Sequence, residues 1–272
     1  MYIYAAILLL QGYLVNKYIS PQLMQYLIKN NMIRKNYLDQ DTIVGMGLAI
    51  FASLIITYSA FSLFISIEPP VVLMFGCAII TLVGFLDDIW GNSLNKGLKG
   101  HFKALLQGTI TTGCIKAIAA LLSSVLISQF LSSNLAQLFI NMGLIALNTN
   151  SINLFDLRPG RAIKYFLFCI TIVALMLGIN NETIWLFGLL GIIAFYIPLD
   201  LKGQVMLGDT GSNLLGFILG YYMALIPFNW FKFIYLIFLI IVHWYSEKNS
   251  ISSLISRVRF LWYLDLLGRP KA

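Results

Sequence analysis

The sequence predicts an all-α polytopic membrane protein with about nine transmembrane helices. Of its 272 residues, 59% are hydrophobic and only 11% are charged, whereas soluble domains carry about 25% charged residues. Apolar runs that approach the roughly 20 residues needed to cross a bilayer recur along the whole chain. Basic residues concentrate in alternate connections between these runs. This composition excludes a cytosolic enzyme, a disordered chain and a nucleic-acid-binding module.

The apolar runs define a transmembrane bundle over residues 1–245 and a tail over 246–272. The runs lie at 2–16, 43–66, 70–86, 105–122, 135–150, 163–179, 183–199, 211–226 and 231–245. The tail has apolar residues at helical spacing with Arg257 and Arg259 among them, which predicts an amphipathic helix in the cytoplasmic membrane interface. The stretch 21–33 has a similar pattern. For both stretches, helical packing against the bundle is the alternative.

The basic residues also predict the orientation. Alternate connections hold 16 of the 18 Lys and Arg residues, and short basic loops stay in the cytoplasm. We therefore expect the N-terminus outside and the C-terminus inside, with 87–104, 151–164 and 200–209 as cytoplasmic loops. All eight Asp residues fall on that same side. Because acids contribute little to topology, this segregation indicates a function for aspartate on the cytoplasmic face.

The first candidate motif is the pair Asp87-Asp88, at the cytoplasmic end of the third run and followed by Gly91. Adjacent carboxylates raise each other's pKa, and a divalent cation relieves that cost. Mg²⁺ prefers carboxylate oxygens together with substrate phosphates. The pair is therefore a candidate half-site for a metal nucleotide, and two solvated loop aspartates are the alternative.

The second motif lies in the loop before the sixth run, where Asn153 and Asp156 precede Arg158, Pro159-Gly160 and Arg161. Guanidinium groups hold phosphate oxygens through paired donors. The loop is therefore a candidate substrate contact, and a basic, topology-setting turn is the alternative.

The third motif, Gly208-Asp209-Thr210-Gly211-Ser212, leads into the eighth run. Glycines permit close backbone approach, and the N–H groups at a helix start attract anions. An aspartate there suits anion binding when a cation bridges it to the phosphate, and it is otherwise an ordinary N-cap.

Two lysines lie at or within the fourth run. Lys103 is placed at its cytoplasmic start, where it either serves the site or extends to the interface. Lys116 lies about three and a half turns deeper, and we expect it to face the bundle interior because a lysine in lipid is costly.

The ordered set of motifs resembles the polyprenyl-phosphate N-acetylhexosamine-1-phosphate transferases, a family that includes phospho-MurNAc-pentapeptide transferases and undecaprenyl-phosphate GlcNAc-1-phosphate transferases. The glycine-rich 43–50 segment, Asp87-Asp88-x-x-Gly91, Asn153-x-x-Asp156 and Gly208-Asp209-x-Gly211-Ser212 follow in family order. The chain looks like a divergent member in two respects. The loop lacks a second aspartate after Asp156, and the last cytoplasmic segment lacks the family's histidine motif.

The resemblance implies transfer of a HexNAc-1-phosphate from a UDP-sugar to undecaprenyl phosphate, with release of UMP, at a bacterial inner membrane. It implies Mg²⁺, or Mn²⁺, as cofactor and allows a homodimer. Its implied site roles are catalytic for Asp87, Asp88 and Lys103, substrate-binding for Asn153 and Asp156, and metal-binding for Asp209, with Asp88 as a further candidate ligand. Arg158 and Arg161 lie where the loop departs from the family pattern, and they are predicted substrate contacts because their guanidinium groups suit phosphate.

Three alternatives stay open at this point. The chain could be a phospho-MurNAc-pentapeptide transferase of peptidoglycan synthesis, although it has little room for a large peptide-binding loop. The missing Asp and His positions argue for a non-catalytic relative that binds lipid phosphate. A transporter is the third alternative, but transporters usually hold their carboxylates near the bilayer midplane, whereas here they lie at the ends of the runs.

Overall fold

A computed structural model of the protein describes residues 1–91, 100, 104 and 107–269. In that part of the chain, nine helices of 16 to 28 residues follow one another, and two shorter helices form the tail. They are α1 (Tyr2–Lys29), α2 (Gly47–Ser62), α3 (Val71–Trp90), α4 (Thr112–Leu131), α5 (Leu135–Phe155), α6 (Arg161–Leu177), α7 (Trp185–Leu201), α8 (Gly208–Leu225), α9 (Trp230–Ser246), α10 (Ile251–Arg257) and α11 (Arg259–Leu266).

Side-chain caps fix where several of these helices begin. Thr111, Asn134, Asn229 and Ser250 each accept a hydrogen bond from the backbone N–H three residues ahead, at the starts of α4, α5, α9 and α10. Short polar side chains of this kind satisfy backbone donors that a helix leaves unpaired at its N-terminus. The polar residues between apolar runs therefore define the turns of the bundle.

The apolar helices indicate that the chain is a membrane protein. By length and apolarity, α3, α4 and α5 can each cross a bilayer, and α9 with α10 gives a fourth candidate if that bent pair counts as one span. Helix α2 and helix α7 are apolar but shorter. The nine long helices fall on the nine apolar runs, while the number of spans and their orientation stay predictions.

Three sequence-based expectations about secondary structure need correction. The all-α prediction missed an antiparallel hairpin, β1 (Ile33–Lys35) with β2 (Asp41–Ile43), in which Arg34 pairs with Thr42. The stretch 21–33 is no separate interfacial helix, because α1 continues through Pro21 to Lys29. Helix α4 extends to Leu131, well beyond the predicted end at 122. Its serines Ser123, Ser124 and Ser128 broke the apolar pattern but are buried inside the bundle.

Helix α8 is the centre of the bundle, and its side chains from Thr210 to Ala224 are all buried. Neighbouring helices approach it through glycines. A Cβ on Gly47 of α2 would collide with the backbone of Gly211, and one on Gly84 of α3 would lie 2.6 Å from the carbonyl oxygen of Asp209. Gly216 of α8 touches the backbone of α5 at Asn148 in the same way. The first two contacts fix the start of α8 against α2 and α3, and the third fixes its middle against α5.

The tail leaves the bundle at a sharp bend. The axes of α9 and α10 differ by 104° across the break between them. Ile251 and Ile255 of α10 are buried, whereas most apolar residues of α11 are exposed, among them Phe260 and Tyr263. One side of the tail therefore packs on the protein while a large apolar surface faces outward. A position in the membrane interface stays a prediction for it.

Candidate active site

Two carboxylates from different helices converge on one lysine. The ammonium of Lys116 on α4 lies 3.0 Å from Asp87 Oδ2 on α3 and 2.7 Å from Asp209 Oδ1 on α8. The exposed fraction of these side chains is 19%, 12% and 23%, respectively. Ionised carboxylates are costly to hold together away from water unless a positive charge compensates them. A cationic group therefore occupies the point at which Asp87 and Asp209 meet.

Amide and hydroxyl groups complete the surroundings of Asp209. Asn153, near the end of α5, donates from Nδ2 to Asp209 Oδ1. Its Oδ1 accepts from the Ser212 hydroxyl at 3.2 Å. Asn213 Nδ2 donates to the carbonyl oxygen of Asp209 at 2.6 Å. The motif on α5 and the motif on α8 therefore form one polar site.

Asp88 has a different environment from its neighbour Asp87. It is 4% exposed, and its carboxylate accepts hydrogen bonds from the backbone N–H groups of Asp209 and Thr210, both at 2.9 Å, and from the Thr210 hydroxyl. A negative charge at the N-terminus of a helix is favourable because unpaired N–H groups point outward there. Asp88 therefore caps α8 and fixes the backbone that carries Asp209.

Gly208 allows that cap to form. Its φ is +64°, and a Cβ at this position would lie 2.6 Å from Asp88 Oδ2. A side chain here would therefore meet both backbone strain and a collision with the carboxylate. The N–H of Gly208 donates to Asp156 Oδ2 at 3.1 Å. This glycine thus leaves room for Asp88 on one side and binds Asp156 on the other.

Asp156 contributes to a concentration of negative charge. Burial raises the pKa of its carboxyl well above the usual range, and the charges of Asp200, Asp88 and Asp209 raise it further. Asp200 in turn accepts a hydrogen bond from the N–H of Gly160 at 2.9 Å. The acids of three sequence motifs therefore meet at one end of the bundle.

The hairpin contacts this end of the bundle from outside. Arg34 on β1 donates from Nη2 to the carbonyl oxygen of Asp88. The guanidinium carbon of Arg158 lies 4.1 Å from the ring centroid of Tyr37, which is in the turn between the strands. Thr42 on β2 donates to the carbonyl oxygen of Gly203 at 2.9 Å. The hairpin thus adds a cation and an aromatic ring to the rim of the site.

The structure does not bring all the expected residues together. Asp87, Asp88, Asn153, Asp156 and Asp209 share one site, and Arg158 lies at its rim. The guanidinium of Arg161 instead donates hydrogen bonds to Asp265 and Ser252 of the tail, whereas a contact with substrate was expected. Lys103 lies outside the described residues.

Sequence reasoning also missed members of the site. Lys116 was expected to face the bundle interior, and its cost in lipid was the signal, but nothing in the sequence pairs it with Asp87 and Asp209. Arg34 and Tyr37 gave no signal because the hairpin was not predicted. Asp200 carries no signal beyond its place among the eight aspartates predicted to be cytoplasmic.

The residues fit a divalent cation held by two carboxylates. The oxygens of Asp87 and Asp209 already converge on one positive group, whereas both oxygens of Asp88 accept hydrogen bonds from the protein. Within the described ranges, no group of three or more His, Cys, Asp or Glu side chains is arranged to hold a metal ion. Mg²⁺ commonly takes one or two carboxylates and completes its shell with water and substrate phosphates. Asp87 and Asp209 fit that pattern.

An apolar groove runs along the two helices that supply Asp87 and Lys116. It has a volume of about 310 Å³ and lies between the first half of α3 and the second half of α4, at the ends of these helices that are distant from Asp87 and Lys116. Its lining includes Val71, Phe75, Ile79, Leu126 and Phe130. The same helix pair therefore presents charged groups at one end and an open apolar surface toward the other.

Comparison with known proteins assigns the family. None of the curated proteins matches the chain. The sequence model of glycosyl transferase family 4 matches residues 70–227, which is more than half of the chain and extends from the start of α3 to the end of α8. The matched region contains Asp87, Asp88, Lys116, Asn153 and Asp209. The chain therefore belongs to glycosyl transferase family 4, the membrane enzymes that transfer a glycosyl-1-phosphate to a polyprenyl phosphate.

Proposed function

We propose that the protein transfers a HexNAc-1-phosphate from a UDP-sugar to undecaprenyl phosphate, releases UMP and so initiates a lipid-linked glycan of the bacterial cell envelope. The observation that carries the proposal is the convergence of Asp87, Lys116 and Asp209, with Asn153 beside them. This cluster combines carboxylates for a divalent cation with a fixed positive charge for phosphate.

The proposed reaction is a displacement at phosphorus. An oxygen of the lipid phosphate attacks the β-phosphorus of the UDP-sugar, the bond from that phosphorus to the bridging oxygen breaks, and UMP leaves. Such reactions are catalysed mainly by positioning the reactants and by stabilising charge. The product is a lipid-linked pyrophosphate sugar.

Each side chain in the cluster has a proposed role. Asp87 and Asp209 would hold Mg²⁺, or Mn²⁺, which neutralises charge on the pyrophosphate. Lys116 binds phosphate oxygens beside these carboxylates, and Lys103 is a second candidate for that task. Asn153 and Asp156 contact the nucleotide sugar. Asp88 has an indirect role: its carboxylate binds Thr210 and the N–H of Asp209, and so keeps Asp209 in place at the start of α8.

The lipid acceptor is supported by the groove between α3 and α4. A polyprenyl phosphate needs an apolar path for its chain and a polar site for its head group. The groove lies on the same two helices as Asp87 and Lys116, so one molecule can follow the helix pair from the lipid to the charged cluster.

The test is an assay of the purified protein in lipid nanodiscs with undecaprenyl phosphate and a panel of UDP-sugars, scored by UMP release. We expect one UDP-HexNAc to be turned over, only in the presence of the lipid phosphate. Turnover of UDP-MurNAc-pentapeptide would favour the peptidoglycan reaction instead. Binding of undecaprenyl phosphate without UMP release from any donor would favour the non-catalytic relative.

A further inference from the structure

The turn between α5 and α6 is held by groups from two other parts of the chain. The N–H of Gly160, whose φ is +73°, donates to Asp200 Oδ2 at the end of α7, and the distance is 2.9 Å. The carbonyl oxygen of Pro159 accepts from Arg269 Nε at 2.8 Å. Two successive residues of this turn are therefore fixed by charged side chains.

The next residue, Arg161, joins the turn to the tail by a bidentate ion pair. Its Nε lies 2.8 Å from Asp265 Oδ1, and its Nη2 lies 2.9 Å from Asp265 Oδ2. A third donor, Nη1, bonds to the Ser252 hydroxyl at 2.8 Å. The two charged side chains are only 6% and 9% exposed. Such parallel hydrogen bonds fix orientation as well as distance.

Asp265 is also the meeting point of two further cations. Arg269 Nη2 donates to its Oδ1 at 2.6 Å. Lys164, one turn beyond Arg161 on α6, donates to the carbonyl oxygens of Leu264, Asp265 and Leu267. Burial opposes ionisation of Asp265, but the hydrogen bonds and charge of Arg161, with the charge of Arg269, hold its pKa below the usual range.

This network is directly connected to the proposed donor site. Asp156, three residues before Pro159, accepts a hydrogen bond from the N–H of Gly208. Arg158, directly before Pro159, lies over the ring of Tyr37. Buried ion pairs contribute little net stability, because desolvation offsets their attraction. Three charged side chains from other parts of the chain, Asp200, Asp265 and Arg269, hold the turn 159–161, and a need to fix its position explains them better than net stability does.

We propose that Arg161, Asp265 and Arg269 are positioning residues that hold the 156–161 loop in the geometry that binds the nucleotide sugar. We call the hydrogen bonds that Asp265 and Arg269 of the tail make to Arg161 and Pro159 the clamp. The tail lies outside the part of the chain that matches the family model, which ends at residue 227. The role in donor binding rests on the proposed function, whereas the clamp itself does not.

Hydrogen exchange of the substrate-free protein tests the clamp without any activity. In Asp265→Asn and in Arg269→Gln, we expect the amides of Leu157, Arg158, Gly160 and Arg161 to exchange about tenfold faster, as the loop opens locally. Glu68→Gln, at an exposed acid between α2 and α3, is the control and should change nothing in this loop. Unchanged exchange in both folded tail variants would overturn the clamp.

Binding and kinetics test whether the clamp positions the loop for the donor. We expect Asp265→Asn to raise the Kd of UDP in calorimetry and the KM of the UDP-sugar by about tenfold, on the scale of other orienting contacts. The KM of undecaprenyl phosphate should stay unchanged. Arg161→Lys keeps the positive charge but lacks the planar fork. It should therefore weaken UDP binding less than Asp265→Asn does.

The outcomes separate the two proposals. A wild type that binds UDP but releases no UMP would overturn the transfer reaction, and the binding arm would still test the clamp. Faster exchange with unchanged UDP binding would overturn the positioning role. A fall in kcat that merely follows the loss of folded protein, measured by size exclusion and thermal melting, would also overturn it.

Discussion

The ammonium of Lys116 lies 2.7 Å from Asp209 Oδ1, although 93 residues separate the two in the chain. This ion pair joins helix α4 to the central helix α8 at the level of Asp87. A lysine in an otherwise apolar helix is thereby part of the charged cluster. The sequence context of Lys116 alone does not reveal this contact.

We expect Lys116→Met to lower turnover by about 10²–10³-fold, the usual cost of removing one preorganised charge-stabilising group. UMP release per folded molecule measures the effect. Lys232→Met is the matched control, since Lys232 is also buried and its ammonium donates only to the carbonyl oxygens of Ala224 and Ile226 among the described hydrogen bonds. Turnover above one tenth of wild type in Lys116→Met would contradict the assignment.

Asp209→Asn should abolish turnover while the protein stays folded, because the amide cannot supply the charge that a divalent cation needs. The wild type should lose activity in EDTA and regain it with Mg²⁺ or Mn²⁺. Asp39→Asn is a suitable control: Asp39 is exposed and has a φ of +59°, which asparagine also tolerates. Full turnover in EDTA would refute the metal role.

The adjacent aspartates should respond differently to the same substitution. Asp87→Asn should lower turnover by orders of magnitude and raise the Mg²⁺ concentration needed for half-maximal rate. Asp88→Asn should also lower turnover but leave that Mg²⁺ requirement unchanged. It should lower the free energy of unfolding by about 1–3 kcal/mol, because it leaves buried donors of α8 poorly paired. Equal Mg²⁺ requirements in the two variants would contradict this division.

Arg158→Ala should weaken UDP-sugar binding by about 1.5–3 kcal/mol, the scale of a hydrogen bond to a charged group. Tyr37→Leu should have a smaller effect, since it removes only the ring on which the guanidinium lies. If the two act together, the double variant should lose less than the sum of both. Arg257→Ala, in the exposed part of the tail, is the control. Unchanged UDP-sugar binding in Arg158→Ala would indicate that Arg158 serves only as a basic charge that sets the topology.

The predicted orientation can be tested with single cysteines in intact cells. The native residues Cys77, Cys114 and Cys169 are buried, so they should give little background. Gln40→Cys, in the hairpin, should react only with membrane-permeant thiol reagents. Asn181→Cys, between α6 and α7, should also react with impermeant ones. The reverse pattern would overturn the orientation and the cytoplasmic donor site with it.

Much of the fold and part of the site could be predicted from sequence, because those parts depend on local patterns. Apolar runs located the nine long helices, and the three Asp motifs converge. The partners of Lys116 could not be predicted, since they lie 29 and 93 residues away. Arg161 was misleading for a chemical reason: a guanidinium suits phosphate and carboxylate equally well, and its carboxylate is 104 residues distant.

The glycine contacts around α8 have a consequence for how this protein can diverge. Backbones touch at Gly47, Gly84 and Gly216, so the framework that carries the reacting groups tolerates almost no added volume. The hairpin and the tail lie outside the matched family region, and the loop that they contact is where the sequence departs from the family pattern. We therefore expect changes of substrate preference to arise by mutation of these peripheral parts, while the closely packed helices around α8 stay the same.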